Sequence, residues 1–246
     1  MSKITIMTSE IVILQLLRQS LDARMETGCH RRGLKADCQL YGECGILIQG
    51  LSDGARAAVE IAVQTAPPAG FLEWVHGYEN MLLIFRAPKF VDAGGRWVAG
   101  LAEPAELARA QGRLVQVPVR YDGTDLAEVA RLTDLSEAEV VAIHSAPEYR
   151  VRIMGFAPGF PYLDGLDPRL HLARRASPRD HIAPGTVAIG GGHAGIYSVA
   201  SPGGWHLLGQ TDLPLFRPAL AKLAKPVSEA VFALEPGDRV KFIPQK

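Results

Sequence analysis

Six cationic or imidazole side chains, Arg169, His171, Arg174, Arg175, Arg179 and His181, crowd into thirteen positions against one acid, Asp180. Such a cluster makes a local cationic patch suited to an anionic ligand, and a solvated basic loop accounts for the charge equally well. Position favours the ligand. The patch lies between two segments rich in turn formers and aromatics, GFAPGFPYL at 155–163 and SPGGW at 201–205, and rigid aromatic loops at a barrel mouth are where ligands bind. In a compact ligand each buried methylene contributes about 0.8 kcal/mol, against roughly 1.5 to 3 kcal/mol for a charge-assisted hydrogen bond. An arginine would therefore dominate the binding of a small anion, and Arg179 is the expected anchor.

His144 stands at the end of a predicted helix, directly before the Gly/Pro-rich half of the chain. An imidazole there can transfer protons near neutral pH, or simply complement the negative end of the helix dipole. Tyr162, Tyr197 and Trp205 offer polar tips to a pocket, although such rings more often fill a core. The run Gly190-Gly191-Gly192 follows a predicted strand but leads into another strand, and no Gly-Lys dipeptide occurs anywhere. It reads as a turn, not a phosphate cradle, so no ATP site is expected on this chain. No H-E-x-x-H pair or zinc-deaminase signature is present. Cys29, Cys38 and Cys44 match neither a zinc ribbon nor a disulfide framework, so reduced thiols and no bound metal are expected.

The elements that must position these residues divide the chain in two. Alternation near Cys38 to Ile48, a helix from Ser52 stopped by Pro67-Pro68, and strands at 71–76 and 81–85 predict a small α+β layer. Residues 89–100, with Gly94-Gly95, read as a loop, followed by a short helix near Pro104 to Ala110. A strand at 114–119 carries Pro118, which suggests an edge or a strand end. Two helices follow, one starting at Thr124 or Asp125 and one with a Ser136–Glu139 capping box. From Gly155 to Gly209 there are 11 Gly and 6 Pro, a density that forbids long helices. Short strands at 149–153, 186–189, 195–199, 205–208, 230–234 and 239–243 then predict a closed or nearly closed barrel. Three segments result: an N-terminal extension at 1–36 with a helix from Ser9 to about Thr27, a small α+β domain at 37–113, and a mainly β barrel domain at 114–246.

Of 246 residues, 48% are apolar and 21% charged, which fits neither a disordered nor a membrane chain. Lys plus Arg and Asp plus Glu both number 26, so no global field draws nucleic acid or anionic lipid. The apolar run at 11–17 is too short to span a bilayer, and no cleavage site follows it, so a cytoplasmic location is expected.

The succession AIHS (142–145), GFAPGFPYL (155–163), PRDHIAPGTVAIGG (178–191), GIYS (195–198), SPGGW (201–205), GQT (209–211) and GDRVKF (237–242) resembles the PxpB/KipI family, also called allophanate hydrolase subunit 1, from about residue 37 to the end. The resemblance implies an α+β N-terminal domain followed by a cyclophilin-like β-barrel. It also implies a subunit of an ATP-dependent 5-oxoprolinase that opens 5-oxo-L-proline to L-glutamate, inactive on its own. The implied partners are a second barrel subunit of the PxpC/KipA type and a PxpA (LamB/YcsF-type) subunit, with ATP and Mg used by the complex and no cofactor bound by this chain. Relatives also imply two other roles, a urea carboxylase or allophanate hydrolase pathway subunit acting on a ureido substrate, and a KipI-like inhibitor of a histidine kinase. On this basis His144 is the expected catalytic group, and Arg179, Phe160, Tyr162, Gly191, His193, Tyr197, Trp205 and Thr211 are the expected substrate contacts. The chain departs from the family pattern at His193-Ala194, at Ser198, at His206 and at Gln210, where a neutral amide replaces a guanidinium fork.

Overall fold

The computed structural model describes residues 34, 36–102, 112–222 and 228–245. The helices expected at 9–27 and near 104–110 lie outside the described residues. Those up to 102 belong to one compact unit and those from 112 onward to another.

The first unit is a four-stranded antiparallel sheet, β1 (Asp37–Tyr41), β2 (Gly45–Gln49), β3 (Phe71–His76) and β4 (Met81–Phe85), in the order β1-β2-β4-β3. Helix α1 (Asp53–Thr65) starts where the Ser52 hydroxyl accepts the Ala55 N–H at 3.0 Å, and it stops before the proline pair. Its apolar residues Ala55, Val59 and Val63 bury against Ile46, Ile48, Met81 and Leu83. The loop expected at 89–100 is instead largely helix α2 (Val91–Ala99). A helical glycine costs about 1 kcal/mol relative to alanine, which is why the Gly94-Gly95 pair reads as a break. The structure shows the compensation. A Cβ on Gly94 would lie 2.3 Å from Phe85 Cζ, so its absence lets α2 rest directly on the sheet.

The second unit is a closed seven-stranded barrel in the order β10-β7-β6-β13-β5-β12-β9, with β9 paired back to β10. Its strands are β5 (Leu114–Arg120), β6 (Tyr149–Met154), β7 (Pro161–Asp164), β9 (Thr186–Gly190), β10 (His193–Ile196), β12 (His206–Gln210) and β13 (Arg239–Gln245), and a separate ribbon joins β8 (Arg179–Ile182) to β11 (Ser201–Gly203). Alternate residues from every barrel strand, among them Val117, Val151, Leu163, Val187, Ile189, Ala194, Leu208 and Val240, form one core. Between β5 and β6, helices α3 (Leu126–Thr133) and α4 (Glu137–Ser145) add Leu126, Val129 and Val140 to that core, and α4 carries the expected capping box.

Two strand expectations are corrected. Pro118 does not mark a sheet edge, because β5 runs parallel to β13 along its whole length and also meets β12. The β12 pairing is confined to Gln210 and Arg120, so the proline, which lacks a donor, sits beside the barrel's thinnest seam. The strand expected at 230–234 is a short helical turn, Ser228–Val231, and a single bridge between Phe216 and Phe232, whose rings stack at 5.4 Å. A closed barrel has no free edge to accept another strand.

Candidate functional site

The bend-rich segments and the arginine patch come together on the outer side of the barrel wall, not inside it. Along β9 and β10, Val187, Ile189, Ala194 and Ile196 point into the core, so Ala188, Gly190 and Gly195 face the other way. Over that face pack Phe160, Tyr162, Ile182, Tyr197, Trp205 and Leu207, forming a second apolar cluster. Phe160 is its hub, edge-on to Tyr162 at 5.1 Å, Tyr197 at 5.3 Å and Trp205 at 5.6 Å. The glycines make room for it. A Cβ on Gly195 would come within 2.9 Å of both Phe160 and Trp205, and one on Gly190 within 2.8 Å of the Trp205 indole. The rings bury one another instead of lining an open hollow: Phe160 and Tyr197 are 2% exposed and Trp205 5%. They form a closed platform, and the polar and charged groups lie along its border.

Ribbon β8–β11 supplies that border. Arg179 pairs with Gly203 across the ribbon, and Gly203 lies against the Tyr197 hydroxyl. Burial raises the Tyr197 pKa, while a backbone hydrogen bond with Trp205 and the charges of Arg174 and Arg179 oppose the shift. The Arg174 guanidinium stands 5.8 Å from the Trp205 ring centroid, within cation–π range. Arg179 Nη2 donates to Asp125 Oδ1 at 2.6 Å, and Arg175 Nη1 donates to Glu128 at 2.5 Å and to Asp125 at 3.4 Å. The other Asp125 oxygen accepts the Leu207 N–H at 2.8 Å. The expected helix-start residue at Asp125 thus makes no side-chain cap bond and instead holds two arginines. The sequence counted Asp180 as the patch's acid, whereas the acid that organises it lies more than fifty residues earlier. Arg169 leaves the patch to bind Asp167 at 2.8 Å, which pulls that carboxyl down to about 2. His181 is exposed.

His193, on β10, is 3.3 Å from Asp164 and edge-on to Tyr162 at 6.5 Å, so this expected contact borders the platform. Gly191 has φ +61° and lies in the tight turn that pairs Gly190 with His193; no helix follows it. Thr211 is buried, with its N–H donated to Gly185 O at 2.9 Å and its hydroxyl accepting Leu213 N–H at 3.3 Å, which is a loop-holding role. Gln210, where the family pattern has arginine, donates to Pro184 O at 2.5 Å and accepts from Thr186 at 3.1 Å. His206 is buried with Nε2 3.0 Å from Ala173 O.

His144 is not among the platform residues. It is fully buried in the barrel unit, stacked on Phe242 at 4.6 Å and bonded through Nδ1 to the Tyr121 hydroxyl at 2.7 Å, while its carbonyl accepts from Tyr149 at 2.8 Å. Burial lowers its pKa to about 3, so the ring is neutral at pH 7. The structure does not bring it together with Arg179.

Besides Asp125, two features escaped the sequence reading. Phe156 adopts φ +67° within a three-residue turn closed by Ala157 N–H to Gly155 O at 2.7 Å, and it is 36% exposed beside Phe160 at 5.4 Å and Tyr197 at 6.3 Å. Positive φ at a bulky residue is strained and recurs at functional sites; no sequence signal short of the flanking glycine and proline would expose it. Residues 50–54, GLSDG, also match the nucleophile-elbow string between a strand and a helix. Ser52, however, has an ordinary extended φ of −63°, and its hydroxyl caps α1. Among the described residues no three His, Cys, Asp or Glu side chains gather as a metal site requires, and no helix is long and apolar enough to cross a membrane.

Comparison with known proteins adds an independent line. The carboxyltransferase domain, subdomain C and D, matches residues 40–225. The chain is 37% identical over 225 residues to the B subunit of 5-oxoprolinase from Escherichia coli O157:H7, covering 86% of this chain and 97% of that one. It is 44% identical over 206 residues to the B subunit of 5-oxoprolinase from Bacillus subtilis strain 168, covering 78% and 82%. Among solved structures, TTHA0988 superposes with TM-score 0.67 at 38% identity over 82% of this chain, which spans 40% of that longer chain. The urea amidolyase of K. lactis shares the fold alone, with TM-score 0.65 at 17% identity over 88% of this chain and 15% of its own. The sequence motifs, the closed barrel and these matches agree: the chain belongs to the carboxyltransferase-domain family of 5-oxoprolinase B subunits, the PxpB/KipI family.

Proposed function

We propose that the chain is the B-type barrel subunit of an ATP-dependent 5-oxoprolinase, opening 5-oxo-L-proline to L-glutamate together with a second barrel subunit and an ATP-using subunit. The observation that carries this reading is the nearly end-to-end match to the 5-oxoprolinase B subunit of Escherichia coli O157:H7. The site geometry is consistent with it. A compact ring carrying one carboxylate offers little apolar area, so its binding rests on a charge-assisted hydrogen bond. The Arg179 side chain, 28% exposed, lies at the edge of an apolar platform.

Ring opening breaks the lactam C–N bond and adds water, the hydroxyl to the carbonyl carbon and the proton to nitrogen. Amide resonance makes that carbonyl a poor target, and ATP would supply its activation. The three-glycine turn of this chain connects two strands without a helix N-terminus behind it, and in this reading ATP and Mg belong to another subunit. The role proposed for this chain is to bind and orient the small acid. His144, buried and neutral, is assigned no proton transfer; its proposed role is within the barrel core. The test is co-expression with both partner subunits and measurement of glutamate formed from 5-oxoproline with and without ATP. Glutamate release that requires ATP and all three chains is the expected result. A stable, folded complex that forms none would overturn the substrate assignment.

A further inference from the structure

We propose that Asp125 is a positioning residue: a buried carboxylate that aims Arg179 across the edge of the aromatic platform at the substrate carboxylate. This rests on the reading above for the identity of the substrate, but the placement stands on geometry alone. Asp125 is 3% exposed and receives three donors, Arg179 Nη2 at 2.6 Å, Arg175 Nη1 at 3.4 Å and Leu207 N–H at 2.8 Å. Leu207 is itself a platform residue, so one carboxylate fixes the guanidinium and the platform in a single frame.

A free arginine side chain loses rotamer freedom on being held. Anchoring one nitrogen to Asp125 settles much of that loss before a ligand arrives, which leaves the rest of the fork directed. Among the described residues, Arg179 Nη1 and Arg175 Nε have no hydrogen-bond partner. A buried guanidinium donor left unmet is unfavourable, and a carboxylate that displaced the side chains now covering Arg179 Nη1 would supply the acceptor.

Charge gives the proposal an unusual sign. Asp125 and Glu128 stand against Arg175 and Arg179, two formal charges of each kind. If bare positive charge drew the ligand, neutralising Asp125 would tighten anion binding. If orientation matters, the same change weakens it.

The experiment uses Asp125→Asn in the complete three-subunit complex, because asparagine keeps the side-chain shape and an oxygen for Leu207 N–H. A rise of about tenfold in KM for 5-oxoproline with kcat changed less than twofold is expected, from loss of roughly 1.4 kcal/mol of binding. An unchanged or lowered KM overturns the proposal. A second measurement needs no variant to fold: in the full wild-type chain, slowly exchanging guanidinium protons of Arg179 are expected by nuclear magnetic resonance, and freely exchanging ones overturn the proposal. If the wild-type complex does not act on 5-oxoproline, the function reading fails, while the guanidinium exchange still decides the role of Asp125.

Discussion

Arg179 and His144 carry similar chemistry on paper, and their surroundings separate them. The Arg179 side chain is partly exposed beside a platform, whereas His144 is fully buried, with an aromatic ring stacked against it and a tyrosine hydroxyl on Nδ1. The histidine therefore acts on stability. Its pKa is about 3 in the fold against 6.5 for an imidazole in water. Between those values the unfolded chain binds a proton that the folded chain refuses, so the contribution is present above pH 6.5 and is lost as pH falls toward 3. At pH 5, about 1.5 pH units below the unfolded value, the loss from this group is on the order of 2 kcal/mol. Urea unfolding at pH 7 and pH 5 should show that loss, and His144→Gln, although less stable at pH 7, should show a flatter dependence. Equal pH slopes in the two proteins would contradict the burial account.

At the scale of elements, the platform depends on close approach between β10 and the aromatic hub. Gly195→Ala places a methyl within 2.9 Å of Phe160 and Trp205 and 3.0 Å of Pro161 O, where backbone cannot yield. Overpacking of this kind costs about 1 to 3 kcal/mol, so chemical denaturation should show a lowered midpoint at unchanged slope. Gly191→Ala, with open space around it but φ +61°, should destabilise by strain without disturbing the rings, and the aromatic fluorescence of the folded state separates the two. Much of this layer could be read from sequence: period-two patterns gave β3 and β4 at their observed bounds, and the Ser136–Glu139 spacing gave the capping box. What could not be read was set by tertiary contact. The Gly94 helix exists because Phe85 lies beneath it, and the 230–234 segment fails as a strand because the barrel closes without it. Strands β8 and β11, with four and three residues and a proline in the latter, are too short to announce themselves. The candidate site divided in the same way. Motif residues from 155 to 205 do assemble, but Asp125, distant in sequence and resembling an ordinary helix start, was legible only in three dimensions.

For the molecule as a whole, net neutrality leaves local arrangement to do the work of recognition. The proposed complex gives this chain a receiving role and places activation of the amide elsewhere, so the purified chain alone should release no glutamate from 5-oxoproline in the presence of ATP. The central claim is that Arg179, at the edge of the ring platform, holds the substrate carboxylate. The most direct measurement is steady-state kinetics of the reconstituted complex carrying Arg179→Lys, which retains the charge but lacks the planar fork. The account predicts a KM for 5-oxoproline raised at least tenfold, in line with loss of roughly 1.5 to 3 kcal/mol from a charge-assisted bond. A KM indistinguishable from that of the unaltered complex would contradict it.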